Sequence, residues 1–183
     1  LNDMRESIGA ALKYLGYSMN STNPEELEKA GDILISWKKN LAKFEADQYK
    51  NGLVSEEFII THGYSGDIFQ VMEENDKISY AIPVEGTTVS CDSMVILKES
   101  KNTDLAYSFI NYMLEPEVAA ENIEYVYYIA PNKPAYELVS EETRNEPAVF
   151  LTDEMLIKSE VLLDLGEANL LYSRIWDKVK AAN

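Results

Sequence analysis

Apolar side chains recur three and four positions apart along much of the chain, a spacing that predicts amphipathic helices. Residues 3–16 form the first predicted helix, with Asp3 and Glu6 where a capping box places its two side chains. Asn23 and Pro24 open a second, longer helix as its N-cap and first residue. The same periodicity predicts helices over 68–74, from 103 with a restart at 116, over 134–139 and over 167–181.

Short segments rich in β-branched and aromatic residues lie between these helices and predict strands. The predicted strands are 58–61, 78–83 and 86–97, residues 125–132 are expected to be extended, and 45–53 is expected to be a polar connection. Because strands and helices alternate along the chain, the sequence predicts an α/β fold.

Asp92 lies in the middle of the predicted strand 86–97. Aspartate is a poor strand former, and a buried carboxylate destabilises a fold unless it is paired. We therefore expect a cationic partner for Asp92, together with a strand that leaves one sheet and enters another at this residue. The alternative is an edge-strand aspartate that faces water.

The charge balance narrows the choice of partners. Sixteen basic residues against thirty-two acidic ones give a net charge of −16. Phosphate binding needs clustered lysine and arginine, so the composition argues against a nucleic-acid partner. A cationic ligand or a basic partner is attracted by such a surface, although acidic surfaces also serve solubility alone.

Few residues are available for covalent or metal chemistry. One cysteine, Cys91, rules out an internal disulfide, and one histidine, His62, argues against a histidine-based zinc site. Neither a nucleophile elbow nor a phosphate-cradling glycine loop occurs, so we expect no enzyme, no catalytic residue, no cofactor and no metal site. No apolar run reaches the length of a membrane span. The chain opens with polar residues and without Met, from which we expect a processed product or an excised piece.

Two pairs of residues are candidates for ligand binding. Asp3 and Glu6 stand three positions apart in a first helical turn, so they can grip an ammonium group together or form a capping box alone. Tyr64 and Asp67 follow a predicted strand and flank a glycine. They suit an aromatic wall and a polar anchor at a cleft, or else a surface tyrosine and an aspartate favoured by a helix dipole.

Tyr127 and Tyr128 are a third candidate pair. Their phenol groups can line a pocket or hold a ferric ion as phenolates. As neighbours in an extended segment they can instead point to opposite faces of a strand.

Several segments together carry a family resemblance. They are, in chain order, Asp-Met-Arg-Glu at 3–6, residues 11–18, Asn-Pro-Glu-Glu-Leu at 23–27, Tyr-Ser-Gly-Asp at 64–67, residues 83–86, Cys-Asp-Ser at 91–93, residues 111–119, Tyr-Ile-Ala-Pro-Asn at 128–132 and the last helix. Their order and spacing resemble the spermidine/putrescine-binding proteins of bacterial ABC importers. The resemblance covers essentially this whole chain, but only the C-terminal half or slightly more of a full-length member.

The resemblance implies a two-lobed clamshell of the periplasmic-binding-protein type 2 class, with a mixed sheet flanked by helices. It assigns 1–91 and 153–183 to the second, C-terminal lobe, and 92–152 to the hinge crossing and the remnant of the first lobe. The N-terminal part of the first lobe is then missing. Helix side chains such as Leu105, Phe109 and Met113 would be left exposed, so we expect that lobe or a second copy of the chain as a partner.

The resemblance also implies the ligand-binding residues. The family's paired carboxylates fall on Asp3 and Glu6, its central carboxylate on Asp92, and its cleft aromatics on Tyr64 and Tyr128. Asp67 is a candidate from its position in the loop beside Tyr64, and not from the resemblance. Departures from the family pattern are a second cleft tryptophan replaced by Ser90, a polar position replaced by Ala46 and a glutamine replaced by Leu162.

The implied function is that of a solute-binding component, or a C-terminal fragment of one, that binds spermidine or putrescine and delivers it to an ABC importer permease. The expected location is the periplasmic or extracellular face of the cytoplasmic membrane, with the protein lipid-anchored or fused to the permease. Alternatives keep the fold and change the role: a ferric ion or another cationic solute as ligand, or the receptor domain of a permease fusion or of a sensor.

Overall fold

The computed structural model describes residues 1–182, and these residues form mainly helices. The elements in chain order are α1 (Met4–Tyr14), α2 (Pro24–Trp37), a 3-10 turn (Lys38–Asn40), α3 (Tyr49–Val54), α4 (Ser65–Glu74), β1 (Thr88–Val89), α5 (Thr103–Met113), α6 (Pro116–Val126), α7 (Lys133–Tyr136), α8 (Glu141–Arg144), α9 (Asp153–Lys158), β2 (Glu160–Val161), a 3-10 turn (Gly166–Ala168) and α10 (Asn169–Ala181). None of these helices combines the length and the apolar character that a membrane span requires.

The two N-terminal helices begin where their caps predict. The Asp3 carboxylate accepts the backbone N–H of Glu6 at 2.8 Å, and the Asn23 side chain accepts the N–H of Glu25 at 2.9 Å. A full capping box would also direct the Glu6 side chain back to the Asp3 N–H. The Glu6 side chain instead accepts a hydrogen bond from Thr88.

The predicted helices along the rest of the chain are confirmed, with shifted ends. The supposed polar connection 45–53 contains α3, whose buried Tyr49 and Leu53 give it an apolar face. Residues 125–132 are not extended throughout, because Tyr125 and Val126 close α6. Tyr127 then ends this helix in the left-handed conformation, with φ of 56°.

The predicted strands are largely wrong. Residues 58–61 and 78–83 form no strand, and Ile59 and Ile60 are 97% and 89% exposed. Strand 86–97 shrinks to β1, which leaves Asp92 in exposed coil. A strand needs a hydrogen-bonded neighbour, and within residues 1–182 the pairing that forms is one parallel pair, β1 with β2, where a mixed sheet was expected.

Gly86 permits the close approach that brings β1 and β2 together. Its φ of +103° is a conformation that residues with a side chain rarely adopt. A Cβ at this position would lie 2.1 Å from the carbonyl oxygen of Lys158, the last residue of α9. Glycine is therefore required where the chain turns into β1.

The chain divides into two compact units. The first contains 1–63, 82–90 and 153–183, and the second contains 64–81 and 91–152. The division differs from the sequence-based lobes mainly in the segment 64–81, which belongs here to the second unit.

Each unit has its own core. In the first, α1, α2 and α10 pack together around buried apolar side chains that include Ile8, Leu12, Leu27, Tyr172 and Val179. In the second, α4, α6 and α7 contribute a smaller cluster built on Phe69, Ala119, Ile123, Ala135 and Val139. Burial of these apolar surfaces supplies the main driving force for folding each unit.

Helix α5 contributes no fully buried residue within the part of the chain described. Leu105 is 71% exposed and Phe109 57% exposed, as expected from the sequence, whereas Met113 is partly covered. Met94, Val95 and Leu97, in the preceding coil, are exposed as well. Apolar exposure on this scale is typical of a surface that another chain segment or molecule covers.

Glu160 ties the strand pair to the start of the chain. Its carboxylate accepts hydrogen bonds from Lys13 Nζ at 2.9 Å, from Ser18 Oγ at 2.5 Å and from the Met19 N–H at 3.2 and 3.3 Å. Partial burial raises the pKa of this carboxyl, but the bonds from Ser18, Lys13 and Met19 outweigh burial and hold the pKa below 4.5. The charged form of Glu160 therefore stabilises the fold.

We expect Glu160→Gln to lower the free energy of unfolding by about 1.5–3 kcal/mol at pH 7, because charge-assisted hydrogen bonds are lost. Since the folded-state pKa is depressed, this stabilisation is present above pH 4.5 and is lost as the pH falls through the folded-state value. Urea unfolding at several pH values measures it. Glu154→Gln, which removes an exposed ion pair to Lys158, is the control and should change little. A Glu160→Gln effect that is independent of pH would contradict the assignment.

Candidate functional site

Asp3 and Glu6 are brought together by the first turn of α1. The Asp3 Oδ1 atom accepts the Glu6 N–H, and Asp3 is half-buried at the N-cap. Glu6 is 7% exposed, an unusual environment for a carboxylate. The capping bond therefore fixes the spacing of two carboxyl groups in one helical turn.

The buried Glu6 carboxylate is poorly neutralised. Burial raises its pKa above 4.5 and the nearby Asp3 charge raises it further, while the Thr88 hydroxyl bond and the Arg5 charge lower it. The Arg5 guanidinium forms its own bonds elsewhere, to the Leu163 carbonyl at 2.9 Å and the Asn20 side chain at 3.0 Å. No ion pair to Glu6 forms within residues 1–182, so this carboxylate can accept a cation.

The start of α4 gathers three of the other candidates. Tyr64 is the N-cap residue, Asp67 lies in the first turn, and the Tyr128 phenol oxygen accepts the backbone N–H groups of Gly66 and Asp67. The N–H groups at a helix N-terminus have no partner within the helix, and the Tyr128 phenol oxygen is such a partner here. The role of Tyr128 in capping α4 was not predicted from the sequence.

Gly66 allows the Tyr128 ring to lie against the helix. A Cβ on Gly66 would come within 2.4 Å of Tyr128 Cε2 and 2.3 Å of the Val126 carbonyl oxygen. Tyr64 and Tyr128 nevertheless stay 40% and 41% exposed. Both rings therefore keep surface that a ligand can contact.

The phenol groups of Tyr127 and Tyr128 both have raised pKa values. The Tyr127 hydroxyl donates a hydrogen bond to the Glu73 carboxylate, and this bond, followed by burial, raises the pKa of Tyr127 to about 12. Burial and the Asp67 charge raise the pKa of Tyr128 to about 12. No group of three or more histidine, cysteine, aspartate or glutamate side chains in residues 1–182 is arranged to hold a metal ion.

Asp92 does not occupy the position that the sequence indicated. It lies beyond the end of β1 in exposed coil, next to the exposed Cys91, whose thiol is 3.9 Å from the Asp92 carbonyl oxygen. No cation pairs with Asp92 among the described residues, so the expected cationic partner is not found within the chain. An exposed carboxylate is solvated by water and needs no such partner.

The six candidates thus fall into two groups. Asp3 and Glu6 belong to the first compact unit, and Tyr64, Asp67, Asp92 and Tyr128 belong to the second. Sequence reasoning missed Thr88, whose hydroxyl contacts Glu6 from β1. A threonine in a predicted strand carries no sign of that contact, because the two residues are distant in the sequence.

The chain passes between the two compact units at 63–64, 81–82, 90–91 and 152–153. The profile of the family described as bacterial extracellular solute-binding protein matches residues 1–151. The chain therefore belongs to the bacterial extracellular solute-binding protein family.

Related proteins support this membership. The putrescine-binding periplasmic protein SpuD of Pseudomonas aeruginosa is 31% identical over 188 residues, which cover 99% of this chain and 51% of SpuD. The spermidine/putrescine-binding periplasmic protein of Salmonella typhimurium is 32% identical over 180 residues, 98% of this chain and 52% of that protein. The chain spans about half the length of these relatives.

Solved structures share the fold. The spermidine/putrescine ABC transporter substrate-binding protein PotD of Streptococcus pneumoniae superposes with a TM-score of 0.80 and 36% identity, over 97% of this chain and 57% of PotD. The TpPotD lipoprotein of Treponema pallidum gives a TM-score of 0.79 and 29% identity, over 98% of this chain and 56% of that one. The expected periplasmic-binding-protein type 2 fold is confirmed by these neighbours.

We expect Gly66→Ala to destabilise the second unit by about 1–3 kcal/mol, because the added methyl group meets the Val126 backbone carbonyl and displaces Tyr128. Urea unfolding measures the loss. NMR titration of the tyrosine rings should show the pKa of Tyr128 returning from about 12 towards 10.0.

Gly9→Ala in α1 is the matched control for this substitution. Its new methyl group meets the flexible end of Met19, which can move. Alanine also has a helix propensity better than that of glycine by about 1 kcal/mol. Equal effects of the two substitutions would show that Gly66 is not held against Tyr128.

Proposed function

We propose that this chain forms part of the extracytoplasmic solute-binding component of an ABC importer, and that its ligand is a polyamine such as spermidine or putrescine. The observation that carries the proposal is the buried Glu6 carboxylate, next to Asp3 and without an ion-pair partner among residues 1–182. A buried charge without a counter-ion is unfavourable, and a bound ammonium group removes that cost.

The chemistry of a polyamine matches the two groups of candidates. Its terminal ammonium groups need carboxylate oxygens, and its methylene chain favours aromatic faces, which also attract cations. In this proposal Asp3 and Glu6 hold one ammonium group and Asp92 holds another. Tyr64 and Tyr128 contact the methylene chain, and Asp67 anchors the loop beside them.

Exposure of Asp92 is compatible with this role. A carboxylate that is solvated in the absence of ligand can pair with an ammonium group when a cleft closes around the ligand. The side chains at Ser90, Ala46 and Leu162 remove polar or aromatic contacts that the family pattern supplies. These replacements leave the carboxylates of the proposed site in place.

The partners follow from the same proposal. The named relatives are periplasmic proteins that bind putrescine, or spermidine and putrescine. We infer the same role for this chain: it delivers the ligand to an importer permease. We place it at the periplasmic or extracellular face of the cytoplasmic membrane, lipid-anchored or fused to the permease. The exposed apolar side chains on α5 suit cover by the first lobe of a full-length receptor or by a second copy.

We expect isothermal titration calorimetry to detect binding of putrescine and spermidine, but not of butane-1,4-diol, to the full-length product of the gene that encodes this chain. The diol has the same carbon spacing as putrescine without its charges, so it tests the ammonium groups. We expect the 183-residue chain alone to bind more weakly, because it spans about half the length of the relatives that bind these amines. Failure of both amines to bind the gene product would overturn the polyamine assignment.

We expect Glu6→Gln to weaken putrescine binding roughly 10- to 100-fold, because a charged hydrogen bond in a buried site is lost. The same calorimetry measures the change. Glu25→Gln, an exposed residue in the first turn of α2, is the charge-matched control and should bind like the parent. Wild-type affinity in the Glu6→Gln protein would remove Glu6 from the site.

A further inference from the structure

The hydroxyl of Thr88 contacts both oxygens of the Glu6 carboxylate, at 3.2 and 3.1 Å. A threonine hydroxyl has a single donor hydrogen, so the two carboxylate oxygens share it. A donor shared in this way keeps both carboxylate oxygens at similar distances from the Thr88 hydroxyl. This restricts the rotation of the Glu6 carboxyl group.

Thr88 is itself held in place by the strand pair. It lies opposite Glu160 in the parallel register, and the Glu160 N–H donates to the carbonyl of Thr87 at 3.0 Å. The Glu160 carboxylate is bound in turn by Lys13 and by the chain at 18–19. The strands are thereby tied to α1 at two points, Thr88 to Glu6 and Glu160 to Lys13.

We propose that Thr88 is a positioning residue for ligand binding, whose hydroxyl orients the buried Glu6 carboxylate and stabilises its charged form for contact with an ammonium group. This inference rests on the proposed function and deepens it, because it assigns to β1 a part in selecting a cationic ligand. Thr88 does not need to touch the ligand in order to act.

The electrostatic surroundings of Glu6 show why one hydroxyl matters. Burial and the Asp3 carboxylate favour the protonated form, whereas Arg5 and the Thr88 hydroxyl favour the charged form. The Arg5 guanidinium is bound to Leu163 and Asn20 and lies over the Tyr172 ring, 5.0 Å from its centroid. Thr88 is therefore the group from β1 that acts directly on the carboxylate by a hydrogen bond, and its loss should raise the pKa of Glu6 further.

The test compares Thr88→Val with Thr88→Ser. Valine keeps the shape of threonine and removes the hydroxyl, while serine keeps the hydroxyl. The adjacent Thr87→Val is the matched control, because the contact that Thr87 makes to Glu160 uses its backbone carbonyl and survives the substitution. If Thr88→Val does not fold, Thr88→Ala against Thr88→Ser makes the same comparison.

Two readouts separate positioning from a merely structural role. Carbon-13 NMR of labelled glutamate carboxyls, with Glu6→Gln to assign the resonance, gives the pKa of Glu6 in the 183-residue chain. Calorimetry of the full-length gene product with putrescine between pH 4 and 8 gives the pH profile of binding. In Thr88→Val we expect binding at pH 7 to weaken by about 2- to 10-fold and the acid limb of the profile to move to higher pH. Thr88→Ser and Thr87→Val should follow the parent.

The outcomes separate this inference from the proposed function. If Thr88→Val keeps the parent pKa of Glu6 and the parent pH profile, the positioning role is wrong even when the amines bind. If the parent gene product binds no amine, the proposed function fails and the role of Thr88 in ligand selection fails with it. The NMR comparison then decides whether Thr88 controls the charge of Glu6.

Discussion

Burial of the Glu6 carboxylate is the constraint on which the N-terminal part of the structure depends. A charge with 7% exposure is destabilising unless polar groups surround it. Three features reduce that cost: the Thr88 hydroxyl, the Arg5 charge, and the position of Glu6 in the first turn of α1, where the helix dipole favours an anion. The compensation is incomplete, because the pKa of Glu6 stays raised. A buried carboxylate with a raised pKa is common at functional sites, and the proposed cation site rests on this feature.

In the second unit, the N–H groups at the N-terminus of α4 need hydrogen-bond partners from outside the helix. The Tyr128 phenol oxygen accepts two N–H groups there, and Tyr127 reaches Glu73 near the other end of the same helix. The two tyrosines directly follow α6, and they contact α4 near both of its ends. This structural work does not exclude ligand contact, since Tyr128 keeps 41% of its surface exposed. The hydrogen bond to Glu73 raises the pKa of Tyr127, whereas burial and the Asp67 charge raise the pKa of Tyr128 against the two N–H groups, which lower it.

Apolar side chains on α5 and at 94–97 are exposed. The chain spans about half the length of its relatives. Apolar surface of this kind is normally covered in folded proteins. The short β1–β2 pair is consistent with the same view, because strand segments without neighbours cannot form a ladder. Residues such as Val95 have strand-forming side chains, yet their backbone has no partner within the described part of the chain.

Local patterns in the sequence predicted what local interactions control. Caps at Asp3 and Asn23, helical periodicity and the restart at Pro116 located the principal helices, because these signals act within a few residues. The pairing of Asp3 with Glu6 was predictable for the same reason. The tertiary structure alone decided the strands, the exposure of Asp92, the contact of Thr88 with Glu6 and the capping of α4 by Tyr128. Each of these depends on which distant segment becomes a neighbour, and the preferences of individual residues do not contain that information.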